Sequence, residues 1–200
     1  MWTIVEARDA CKAIDKLPHH LAEKYALWCA IVRQSGPPGL RLIKSFHDEK
    51  LSGKLAGLRS SRLSGQWRVL YRVRADVVTV DWNASLRMTI AFSEKEEDQM
   101  AHNKLKKAKP ATAPYVPARV RVALTPGDAV RIARELQEMT QAELAAVTGI
   151  AQPTLSSIES GRSVLGAERA EKLARALKVH PAVLLWPNWD IEAESKRAAG

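Results

Sequence analysis

Apolar and polar residues alternate through "WTIVEA" (2–7), which predicts a strand. Helical spacing follows. "RDACKAIDKL" (8–17) predicts a helix, and Pro18, at a first helical turn, opens a second over 18–36. There Leu21, Tyr25, Trp28, Ile31 and Val32 recur at three and four, giving one apolar face. "GPPG" (36–39) ends that helix, and a loop rich in Lys and Gly fills 40–56. The period then falls to two in "GLRSSRL", "QWRVLYRV" and "VVTVDWN", three short runs joined by turn residues. They predict antiparallel hairpin strands, with Leu63, Trp67, Val69 and Tyr71 facing a core. "RMTIAFS" (87–93) is a fourth run or an extension of the third. Helical spacing returns from Pro126 to Leu185 in segments of 8 to 14 residues. The expected fold class is α+β, a small antiparallel sheet carrying two N-terminal helices, followed by an all-α unit.

The change of texture coincides with a seam. "SEKEEDQMAHNKLKKAKPATAPYVP" (93–117) is acidic to Gln99, then basic, then rich in Pro and Ala. Its prolines predict an extended linker. The expected division is a first domain over 1–99, a flexible linker over 100–117, a second domain over 118–190 and a tail over 191–200.

Charge narrows the function. The formal net charge is +9 over 200 residues, +4 in residues 1–99 and +5 in residues 100–200. Such an excess points to a polyanionic partner, because Lys and Arg release phosphate counterions on binding. Cys11 and Cys29 lack the spacing of a disulfide framework or zinc site, and the five histidines are scattered. No metal and no cofactor are expected. Neither a signal-type apolar run nor a membrane-length one is present, so a soluble cytoplasmic protein is expected, with no membrane partner.

"TQAELAAVTGIAQPTLSSIES" (140–160) carries the most specific pattern. Thr140 and Glu143 have capping-box spacing. Ala145 is small where two helices cross, and Gly149 fits a turn needing positive φ. Ile150, Leu155 and Ile158 supply the apolar contacts of a second helix that Pro153 opens and Gly161 can close. This spacing resembles the helix-turn-helix of the Xre/Cro family, and residues 118–190 as a whole look like an antitoxin of the HigA type. The resemblance implies a dimer that binds operator DNA and represses its own operon, with the second helix in the major groove. Gln152, Thr154, Ser156 and Ser157 would then face base edges, Pro153 would sit among them, and Gln141 and Arg162 would touch phosphates. In "HPAVLLWP", Leu184, Leu185 and Trp186 serve the core, a dimer contact, or both.

Residues 44–73 are predominantly basic. On "QWRVLYRV" alternation puts Arg68, Leu70 and Arg72 on one side and Trp67, Val69 and Tyr71 on the other. With Arg62, Lys50 and Lys54 this predicts an open face for RNA phosphate, to which Arg59 is added. "HDEKLSGKLAGLRSSRLSGQWRVLYRV" (47–73) resembles the RelE/HigB family of toxins, and the likeness covers roughly 2–84. It implies a metal-independent mRNA endoribonuclease acting on the ribosome. Lys54, Arg62 and Arg68 would hold the scissile phosphate, and Lys50, Arg59 and Arg72 would bind RNA. One departure concerns the end of the sheet. Where many family members carry a His or Tyr for proton transfer, this chain reads "NASLR", Asn83 to Arg87; Arg87 can act electrostatically but not as a base.

Beside a third, weaker reading, an enzyme acting on tRNA or free RNA, two readings stay open. One is a toxin–antitoxin pair in a single polypeptide, the ribonuclease held in check by contact within or between chains. The other is a repressor whose toxin-like half is inactive. Met100 stands where a free-standing antitoxin could begin.

Overall fold

The computed structural model describes residues 2–81 and 115–189, apart from the Lys54 side chain. The expected run at 87–93, the stretch Asn83–Arg87, Met100, most of the linker and the tail lie outside the described residues. The first half runs β1 (Thr3–Glu6), α1 (Arg8–Ile14), α2 (His19–Leu40), β2 (Glu49–Lys50), β3 (Arg59–Arg62), β4 (Arg68–Arg74) and β5 (Val77–Asp81). The second runs β6 (Val116–Pro117), α3 (Pro126–Leu136), α4 (Gln141–Thr148), α5 (Gln152–Glu159), α6 (Ala167–Leu177) and α7 (Pro181–Leu185). No described helix is long and apolar enough to cross a membrane.

The sheet has the order β2-β3-β4-β5-β1-β6. β3 to β5 are antiparallel neighbours, as the hairpin pattern predicts, and the two-residue β2, inside the stretch expected as a loop, pairs antiparallel with β3. The expectation of an all-antiparallel sheet is corrected at β1, which lies parallel to β5. Two helices separate β1 from the hairpins, so the chain can return beside β1 in the same direction. Alternation within a strand reports its faces but carries no signal for its partner.

In α2 the expected stripe is buried, Trp28 and Val32 completely. Leu27, Cys29 and Ala30 are buried as well, because α2 lies between the sheet on one side and α3 and α7 on the other. Trp28 meets Tyr71 edge-on at 5.3 Å between ring centroids. Gly36 (φ 64) breaks the helix where expected, but Pro37 to Leu40 add one further helical turn beyond it.

The second half is fastened to the first by backbone and buried charge. Val116 and Pro117, assigned to the linker on sequence, pair with Glu6 and Val5 of β1. Ala118 N–H donates to Ile4 O at 2.9 Å, and Arg33 donates to Ala118 O at 3.1 Å. Arg121 grips both carboxylate oxygens of the fully buried Glu6, at 2.9 and 2.7 Å, while Tyr25 Oη–H donates to the same carboxylate at 2.9 Å. Further along, Gln137 Nε2 donates to Leu42 O at 3.0 Å and Leu177 O at 2.7 Å, and its Oε1 accepts from Lys44 N–H. A single apolar cluster runs through both halves.

Candidate nucleic-acid interfaces

Arginines of the sheet divide between its two sides. In register, Arg62 stands opposite Arg68, and Arg72 follows on the same side as Arg68. This side is not bare, because Leu70, between Arg68 and Arg72, is 4% exposed. Arg68 Nη1 donates to Glu49 Oε1 at 3.0 Å and to Ser60 Oγ at 3.1 Å. Arg72 Nε stands 3.3 Å from Asp81 Oδ2 without hydrogen-bond alignment. Burial holds the Asp81 carboxyl above its ordinary pKa, against the pull of Arg72. Arg62 Nε is buried and has no hydrogen-bond partner among the described residues.

Arg59 stands apart from these arginines. It lies directly opposite Tyr71, on the core side, where its guanidinium binds the fully buried Asp48 carboxylate and the Tyr71 hydroxyl. Asp48 also accepts from Ser61 Oγ–H at 2.8 Å. So engaged, Arg59 is turned to the opposite side of the sheet from Arg62 and Arg68. Lys50 is exposed but sits opposite Arg59, so by register it also belongs to the other side from Arg62 and Arg68. Lys54 falls on a short 3₁₀ turn, Gly53–Leu55, and Arg87 lies outside the described residues. Of the predicted phosphate-binding set, the structure therefore brings Arg62 and Arg68 together with Arg72 beside them.

In the second half, local sequence builds the expected motif. Thr140 and Glu143 close a reciprocal capping box at the start of α4. Gly149 ends that helix at φ 69, a left-handed turn that suits glycine. Leu144, Leu155 and Ile158 are buried between the two helices and α3, and Ile150 anchors the turn. Gly127 in α3 permits the closest approach, since a Cβ there would stand 2.3 Å from the Ile158 carbonyl oxygen.

The polar N-terminal end of α5 is left clear. Gln152 and Pro153 are exposed, and Thr154, Ser156 and Ser157 are half-buried. Arg162 is exposed, its Nε donating to Ser160 Oγ at 2.9 Å. Gln141 is already engaged, Nε2 donating to Glu159 Oε2 at 2.8 Å. The helices that contact α5 most are α3 and α4, whereas α2 of the first half packs chiefly on α3 and α7. The sheet-bearing half thus docks away from the side chains expected to read bases.

Residues 130–184 match a family model described as helix-turn-helix. The match supports a DNA-binding transcription regulator. It spans α4, α5 and α6 together with most of α3 and α7, and stops short of the sheet-bearing half. No curated protein and no solved structure matches the chain.

Sequence reasoning missed the lock beneath this helix-turn-helix. Arg134 of α3 binds Glu159 of α5 through two bonds, at 2.7 and 2.9 Å, and also donates to Met139 O at 2.9 Å. Burial alone would raise the Glu159 pKa, but the Arg134 and Gln141 hydrogen bonds outweigh it and hold the carboxyl below its ordinary value. One ion pair therefore fixes α5 to α3 and orients Gln141. A signal existed: Arg134 and Glu159 each adjoin a residue of the apolar stripe, Ala133 and Ile158. Trp186 is 59% exposed, so of the expected closing set Leu184 serves the core and Trp186 does not.

Proposed function

We propose that the chain is an operator-binding repressor of HigA/Xre type fused to a RelE/HigB-like half, a toxin–antitoxin pair in one polypeptide. The observation that carries the DNA part is the position of α5. Its polar N-terminal residues stand clear while the sheet-bearing half is held on α3 and α7. The chain can then present Gln152 and Thr154 to a major groove without releasing its first half. Two copies on an inverted repeat supply the affinity that one half-site lacks. Selection of duplexes from a random-sequence library by the full chain tests this. Enrichment of an inverted repeat is the expected result, and recovery of unselected sequence at every salt concentration would refute it.

The RNA part rests on Arg62 and Arg68, paired across neighbouring strands. In this reading they hold an mRNA phosphate while the 2′-OH of the same nucleotide attacks it and the P–O5′ bond breaks, giving a 2′,3′-cyclic phosphate. The 2′-OH proton passes to solvent, the leaving 5′-oxygen takes one from solvent, and the guanidiniums stabilise the developing charge. Ribosome-dependent mRNA cleavage by the full chain, abolished in Arg68→Ala, supports an enzyme. The ion pairs of Arg68 with Glu49 and of Arg72 with Asp81 favour the second reading, a repressor whose toxin-like half has no turnover. Absence of cleavage by folded protein, with operator binding intact, selects that reading.

A further inference from the structure

We propose that Glu49 is an internal competitor for the arginine face, a carboxylate placed on Arg68 where a phosphodiester would otherwise bind. The inference rests on reading that face as an RNA-phosphate site, and it names the residue that sets its strength.

The two consecutive acids of this segment have opposite fates. Asp48 is turned inward, fully buried, and held by Arg59, Tyr71 and Ser61. Glu49, opposite Ser60 on β3, reaches Arg68 instead. Its side chain is 56% exposed, whereas that of Arg68 is 15% exposed. The cation is therefore fixed within the face and the anion lies at its rim. An ion pair open to water on one side is weakly held, so the carboxylate can turn out to solvent at little cost.

The arginines need more anion than Glu49 supplies. Arg62 and Arg68 are directly opposed, and like charges so placed repel. Arg62 Nε is buried without a partner among the described residues. Among the described residues, one carboxylate stands against these two guanidiniums. A phosphodiester carries one negative charge, as a carboxylate does, but its two non-bridging oxygens can accept from both guanidinium forks, whereas the Glu49 carboxylate is bound to Arg68 alone. Nucleic-acid phosphate thus gains Arg62 as well as Arg68, but must first displace Glu49.

The test uses the full chain with excess duplex DNA present to occupy the helix-turn-helix, and a short 5′-labelled uridine oligoribonucleotide as probe. Glu49→Gln is expected to tighten RNA binding about fivefold to tenfold. Asp9→Asn removes the same charge from an exposed side chain of α1 and is expected to change binding less than about twofold. In an Arg68→Ala background the gain from Glu49→Gln should vanish, which a general charge effect would not do. Equal gains from Glu49→Gln and Asp9→Asn, or a gain that persists without Arg68, overturn the proposal. If neither the wild type nor Glu49→Gln binds the oligonucleotide at low salt, the phosphate-site reading falls and takes the proposal with it.

Discussion

Both halves of this chain are basic, yet they dispose of their charge and polarity in different ways. In the hairpin of β3 and β4, Arg59 and Arg68 are tied to Asp48 and Glu49, and Arg72 lies beside Asp81. Around α5 the arrangement is reversed. The one tight ion pair, Arg134 with Glu159, lies underneath, and the outward polar side chains of Gln152 and Thr154 make no side-chain bond among the described residues. An α5 that is locked from below and free above is ready to meet a ligand. A face on which Arg68 and Arg72 already have acids must exchange partners there, and Arg62 alone of the three has no acid beside it among the described residues. Density of Lys and Arg along a sequence therefore says less about binding than which of those cations remain uncommitted.

The contrast depends first on the two halves staying together. Arg121→Ala leaves Glu6 buried without its cation, and the loss of stability should be about 3–5 kcal/mol. Thermal unfolding of the full chain measures it. A melting curve unchanged from wild type would mean that the segment after β6 adds nothing to the fold.

The next largest effect is expected within the helical unit. Gly127→Ala places a Cβ 2.3 Å from the Ile158 carbonyl oxygen, so α3 and α5 must separate. Overpacking of this kind costs about 1–3 kcal/mol. Because the shift displaces α5, DNA binding should weaken while the RNA affinity of the sheet face stays unchanged. Equal damage to both functions would show that the two interfaces are not independent.

Acid should act on the same lock with a smaller effect. The Glu159 carboxyl is held below the ordinary glutamate value in the folded chain, so its contribution to stability is fully present above that value. It is lost as pH falls through the folded-state value. Glu159→Gln should therefore be less stable at neutral pH and show a flatter acid limb in a pH series of melting curves. A parallel acid limb in the variant would assign the loss to other carboxylates.

How much of this was legible in sequence follows from the range of each interaction. The capping box of Thr140 and Glu143, the turn at Gly149 and the buried Leu155 and Ile158 are fixed by spacings of a few residues, and they stand as expected. Alternation correctly put Arg68 and Arg72 on one side of β4, and the same parity, extended to β3, separates Arg59 from Arg62. What could not be read was partnership across distance. Glu6 and Arg121 lie 115 positions apart, and neither carries a local mark of the other. The parallel pairing of β1 with β5 and the addition of β6 to the sheet edge are of the same kind.

In the proposed reading, α5 reads bases through Gln152 and Thr154 while Arg162 contributes only phosphate contact. The most direct test is a salt titration of DNA binding on a selected duplex and on a random one, comparing Gln152→Ala/Thr154→Ala with Arg162→Ala. The double variant should lose affinity for the selected duplex by about 1–3 kcal/mol, with an unchanged salt slope. Arg162→Ala should weaken binding to both duplexes and reduce the slope by about one. Equal loss on both duplexes from the double variant would contradict the orientation of α5 on which the account depends.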